Sequence, residues 1–328
     1  MTEIVEKPRS YSDTAKDIAR RVFRHENGAI IIILVALMAV LAVLTRGKSL
    51  TVTNLSNIVL QSSTRGVVAI GEMFVILTGG IDISVGGIAI VSFMVGADLM
   101  AASSGFPVGP IAVMLLVGTG IGVVNGTLVS RVGVPSIIVT LAMWGLLRGV
   151  AWLVSEGLPI VNLPRELAFI GQAKIGQLPI AGFVFIAVAV VAYFVLNHTT
   201  FGRSVYAVGG NPVAAWLSGL NVKKIQFMVF AISGFCAALG GLIILSRIMA
   251  GSMSAGGGLE LDAIAAVLIG GISLIGGRGT VLGAVIGVFI LGIINNGMNL
   301  LVMKPAFQHI LKGIIIIGAV AVDYRRRR

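Results

Sequence analysis

Ten apolar runs govern what this chain can fold into, at about 28–45, 59–79, 84–102, 108–129, 135–155, 179–197, 227–249, 260–276, 281–302 and 306–322. The hydrocarbon core of a bilayer is about 30 Å thick and takes roughly 20 helical residues to cross. Within it every backbone N–H and C=O needs an internal partner, which an α-helix supplies. The runs predict an all-α integral membrane protein of about ten transmembrane helices. Composition supports this: 57% of the residues are hydrophobic and 11% are charged, against roughly a quarter charged in soluble domains. The solvent of this fold is lipid.

A net charge of +11 invites a nucleic-acid reading, but the basic residues flank the apolar runs. If the chain starts inside, the segments 1–27, 80–83, 130–134, 198–226, 277–280 and the tail carry 15 Lys and Arg. The opposite segments carry five: Arg46, Lys48, Arg165, Lys174 and Lys304. That asymmetry follows the positive-inside rule; it predicts both termini in the cytoplasm and no nucleic-acid partner. The domain scheme is a cytoplasmic segment 1–27, one transmembrane domain 28–323 and a basic tail 324–328. The polar start differs from a cleaved leader. Cys236 is the single cysteine, and His25, His198 and His309 lack ligand spacing, so no disulfide and no metal site are expected.

Two halves echo each other. Asn125-Gly126 with Pro135 is matched by Asn296-Gly297 with Pro305, and Gly79-Gly80-Ile81-Asp82-Ile83 by Gly257-Gly258-Leu259-Glu260-Leu261. The offset aligns spans 2–5 with spans 7–10, which run in opposite directions, so two inverted-topology repeats are predicted. Glycines 118, 122 and 126, and 279, 283 and 287, give small-xxx-small helix faces in both halves. The Gly-rich stretches near 78–87 and 250–258 are candidates for broken helices.

Polar side chains inside spans are costly and mark pathways. The set here is Glu72, Asp82, Ser84, Asn125, Trp144, Arg148, Glu260, Asp262, Asn295, Asn296 and Asn299. Sugars suit it, because hydroxyls need paired donors and acceptors and a Trp ring offers an apolar face. Each residue alone can equally be an interhelical hydrogen bond. The long loop 198–226 contains Gly209-Gly210-Asn211-Pro212-Val213-Ala214-Ala215-Trp216-Leu217-Ser218-Gly219. Asn at N-cap, Pro at the first helical position and Gly at the end spell a two-turn helix. So short a helix is unstable alone and must pack on another protein or on the membrane surface. Ala214 and Ala215 would let a partner approach closely. No phosphate loop is present: Gly271 to Arg278 lacks the Lys and the hydroxyl. If ATP drives this chain, the ATPase is separate.

Several runs resemble the monosaccharide permease family of ABC importers, its ribose and xylose branch, nearest the ribose type. They are Ile76 to Gly86, Leu146 to Val150, Thr200 to Arg203 with Ala207 to Asn211, Leu261 to Val267 with Gly270-Gly271, and Asn295 to Leu300. The resemblance covers about 28–323. It implies a prokaryotic plasma-membrane permease dimer that passes a monosaccharide. Two cytoplasmic ATPase subunits would bind ATP and Mg, and an extracytoplasmic sugar-binding protein would dock on Arg165, Lys174 and Lys304. This chain would bind no cofactor, and 209–220 would be the helix that couples it to the ATPase. Ser62-Ser63-Thr64-Arg65 and Glu72 stand outside the family pattern, so the resemblance assigns no sugar there. The competing class is an ion-coupled carrier or passive channel, which needs no docking helix. No catalytic constellation points to an enzyme.

Overall fold

The computed structural model describes residues 28–101 and 105–325; the segment 1–27 and Arg326 to Arg328 of the basic tail lie outside them. The helices are α1 (Gly28–Leu44), α2 (Val52–Leu77), α3 (Val85–Ala101), α4 (Val108–Thr127), α5 (Ser136–Ser155), α6 (Ala168–Gln172) and α7 (Ile180–His198). They continue as α8 (Thr200–Gly210), α9 (Pro212–Leu217), α10 (Val222–Ile248), α11 (Leu259–Ile269), α12 (Val281–Leu300) and α13 (Pro305–Arg325). A small hairpin pairs Lys174–Ile175 with Leu178–Pro179. All ten apolar runs are helical over all or part of their length.

Helices α4 (extended to Val132), α5, α7, α10 and α12 are each long and apolar enough to cross a membrane. Helix α2 differs. It carries Ser62, Ser63, Thr64, Arg65 and Glu72, yet from Gly66 to Leu77 every residue is buried. A helix hydrophobic on some faces and polar on others belongs at the centre of a bundle, where neighbours rather than lipid meet its polar groups. Thr51 starts it by accepting from the Asn54 N–H at 3.4 Å.

The internal repeat is a symmetry of packing. Helix α4 lies on α10 and α12 on α2; α3 lies on α10 and α11 on α2; α3 touches α5 and α11 touches α13. Exchanging α2 with α10, α3 with α11, α4 with α12 and α5 with α13 maps each contact onto its mate. One close seam is α4 on α10. A Cβ at Gly118 would lie 2.8 Å from the Gly234 carbonyl oxygen, and one at Gly122 would lie 3.1 Å from the Gly234 Cα. The predicted small-xxx-small face is a backbone-to-backbone contact. In the second half Gly283 and Gly287 lie against α11 and its end, but Gly279 precedes α12 at φ +142° and packs on Ile272.

Span 8 departs from the expected 260–276 helix. Its helix, α11, covers 11 residues, about 16 Å at 1.5 Å per residue, half the bilayer core. The remainder is irregular. Gly251 packs on Ala97 and Met94, Gly256 on Ile90, and the Glu260 side chain on Gly86, so the chain descends along α3 before α11 begins. Hydropathy reads 260–276 as one run, but Gly271 at φ +84° ends the helix.

The ends of three elements meet at one joint. Gly277 donates its N–H to the Leu77 carbonyl at 2.9 Å, and Tyr206 Oη donates to the Gly279 carbonyl at 2.9 Å. A Cβ at Gly276 would lie 2.7 Å from the Gly79 nitrogen and 3.0 Å from the Gly209 Cα. Gly209 is therefore interior, against the ends of α2 and the 270–280 loop.

Candidate functional site

The polar residues read as one route fall into separate clusters. The first sits where the chain reverses between α2 and α3. The Asp82 N–H donates to Glu72 Oε1 at 3.0 Å. Ser84 donates its hydroxyl to Asp82 Oδ1, and its N–H to the same oxygen at 3.0 Å. Ser233 of α10 donates to Asp82 Oδ2 at 3.0 Å, and Asn125 Nδ2 of α4 donates to Ser84 Oγ at 2.8 Å. Glu72, Asp82, Ser84 and Asn125 are thus brought together, all at 0% exposure. Their network ties four elements. Ser233 is a member that sequence reasoning missed, since a lone serine in an apolar helix carries no signal. Ile81 is held from outside by Ser136 Oγ, which accepts its N–H at 3.2 Å, and by Thr140.

The second cluster is Trp144, Arg148 and Glu260. Arg148 lies over the Trp144 ring, 4.9 Å from its centroid, as four-residue spacing on one helix allows. The Glu260 carboxylate, from the first turn of α11, interacts with both.

The third is an ion-pair cluster around Asp262. Arg65 Nε lies 2.7 Å from Asp262 Oδ2 and Lys312 Nζ 2.9 Å from Oδ1. Beside it opens a cavity of 280 Å³ lined by Asn57, Gln61, Thr64, Arg65, Arg247 and Asp262, with the backbone of Ala255 and Gly257. Irregular backbone at membrane depth is tolerated where it lines such a space. Only Asp262 of these residues stood among the candidates; Arg65, Arg247 and Lys312 are visible in the sequence as charges inside spans, but their convergence is not.

Asn296 is a packing residue. Asn54 Nδ2 donates to Asn296 Oδ1 at 2.9 Å, and Asn296 Nδ2 donates to Asn54 Oδ1 at 2.8 Å. This reciprocal amide pair locks α2 to α12. Asn125 and Asn296 therefore do different work despite the repeat that relates them. Asn295 is buried beside it, and exposed Asn299 accepts from Gln308 Nε2 at 3.2 Å.

The start-and-stop code in the 198–226 loop folds as read. Asn211 Oδ1 accepts the N–H groups of Val213 and Ala214, each at 3.0 Å, Pro212 opens α9, and Gly219 turns the chain at φ +84°. Ser218 bonds back to the Ala214 carbonyl at 2.9 Å. Val213, Trp216 and Leu217 are 65%, 66% and 73% exposed. Ala215 is not on that free face: it is 5% exposed, turned toward its own chain. Gly210 ends α8, an additional helix within the loop. Arg165, Lys174 and Lys304 are all exposed.

A bundle of apolar helices with a packing repeat, a half-length helix, a polar cavity and a short helix with an exposed apolar face defines a multi-pass membrane transport protein. Residues 54–320 match the family described as the permease component of the branched-chain amino acid transport system, and the chain belongs to that family. It is 38% identical over 311 residues to the ribose import permease protein RbsC of Haemophilus influenzae, covering 93% of this chain and 94% of that protein. It is 39% identical over 304 residues to RbsC of Escherichia coli K12, covering 90% and 93%. The D-allose transport system permease protein AlsC of Escherichia coli K12 is 36% identical over 291 residues, 89% of each chain. No solved structure matches the chain. The ribose-type resemblance read from the motifs is borne out, and the chain is a permease subunit rather than an enzyme.

Proposed function

We propose that the chain is the membrane-spanning subunit of an ATP-driven importer that takes a monosaccharide from an extracytoplasmic binding protein. The observation that carries this is near full-length similarity to permeases named for ribose and D-allose. Helix α9 supports the coupling part. Six residues long, it holds three large apolar side chains in the open, which is the form of a surface that a partner covers. A hollow of 670 Å³ beside it, lined by Val129, Pro212, Trp216 and Lys223, gives that partner a seat. On this reading ATP and Mg are bound by a separate ATPase, two copies of the permease form the pathway, and 28–323 is one domain. Both termini lie in the cytoplasm of a prokaryotic cell, and Arg165, Lys174 and Lys304 meet the binding protein. Trp216→Glu in the reconstituted importer is the test. It should abolish sugar uptake and binding-protein-stimulated ATP hydrolysis together, while the permease still inserts. Full activity in that variant, or uptake driven by an ion gradient without ATP, would replace the importer reading with a carrier.

A further inference from the structure

The cavity beside Asp262 has a charge imbalance that a neutral sugar leaves unmet. Both carboxylate oxygens of Asp262 are already engaged, one by Arg65 and one by Lys312. Arg247, which shares the cavity wall, forms no ion pair among the described residues. Glu260, the neighbouring acid on α11, is not part of the cavity wall and packs on Gly86 of α3. Three cations therefore face one carboxylate, and the amino end of α11 adds its positive pole. Unbalanced charge at membrane depth is costly and marks function. Guanidinium forks match a carboxylate in shape as well as charge. The wall also carries two uncharged polar side chains, Asn57 and Gln61. Their amides both donate and accept, which suits sugar hydroxyls. At 280 Å³ the space falls at the small end of ligand sites, which start near about 300 Å³, and suits a single ring.

We propose that this cavity is a substrate subsite for a monosaccharide carrying a carboxylate, with the anionic group on Arg247 and Arg65 and a ring hydroxyl on Gln61. The assignment rests on the importer reading for its route but not for its binding. The test titrates the purified permease in lipid nanodiscs by calorimetry with D-glucuronate, D-glucose, D-ribose and inorganic phosphate. D-glucuronate should bind more tightly than the other three. Arg247→Gln should weaken it about tenfold or more, as loss of a charge-assisted hydrogen bond requires, with Arg247→Lys in between. Gln61→Met, close in size and without the amide, gives an independent reading if Arg247→Gln fails to fold, and should also weaken D-glucuronate. Neutral sugars binding as tightly as D-glucuronate would overturn the proposal. So would equal affinity for phosphate, which makes the cavity a general anion site, or unchanged affinity in the folded variants. Failure of every small probe, with Arg247→Gln instead releasing an acidic binding protein, would make it a docking pocket and overturn it as well. Association with an ATPase through α9, measured on the same preparation, tests the importer reading separately.

Discussion

Asp82 shows why a polar residue in a span is legible while its role is not. Its cost in lipid made it a candidate, yet both its oxygens are spent on Ser84 and Ser233, partners 2 and 151 residues away. Removing the carboxylate strands two buried hydroxyls and one N–H group. At about 1–3 kcal/mol for each buried group left unsatisfied, Asp82→Ala should lower the thermal unfolding midpoint of the purified protein far more than Ser233→Ala does. Equal small shifts would mean water replaces the network. Asn296 was chosen on the same argument of cost, and its pairing with Asn54 gives it a different fate. A cysteine at Asn296, with Cys236 replaced, should be inert to water-soluble thiol reagents, whereas one at Gln61 on the cavity wall should react. The Asn54–Asn296 coupling from a double-mutant cycle should fall at about 0.6–2 kcal/mol, the range for interhelical polar contacts in membranes.

Local code was the most readable level for elements. Asn211, Pro212 and Gly219 announced α9 because a cap, a first-turn proline and a left-handed glycine each act within a few residues. Asn211→Ala should cost about 1 kcal/mol of local helix stability, read as faster amide exchange at Ala214 and Ala215. The direction of Ala215 was not readable, since it depends on how α9 lies against the rest of the chain. Span 8 shows the opposite limit. Its apolar run is continuous in composition, and only the backbone at Gly271 divides helix from loop. The seam of α4 on α10 was legible as a glycine spacing, though not which helix it meets. Gly122→Val should push α4 from the Phe230 and Gly234 backbone and lower stability by about 1–3 kcal/mol, the usual penalty for overpacking. An unshifted unfolding midpoint would mean the seam gives way easily.

For the whole molecule, lipid-length apolar runs made the helical membrane fold accessible and matched motifs the packing repeat, because neither is read from distant contacts. Reporter fusions after Arg24 and after Tyr324 should both report the cytoplasm, with opposite reports requiring an odd number of crossings. What sequence withheld was how helices rotate against one another, and with it the grouping of Arg65, Arg247, Asp262 and Lys312 from four elements. The joint of Gly209, Gly276 and Gly277 with Leu77 and Gly79 bears on how this chain can evolve. Elsewhere in the bundle, an enlarged residue can be answered by a smaller neighbour, since side chain meets side chain. At the joint, each glycine meets peptide atoms, which no substitution in a neighbour can trim. Drift at these positions has no compensating second mutation available, so they are fixed by geometry even where the residues around them are free to vary.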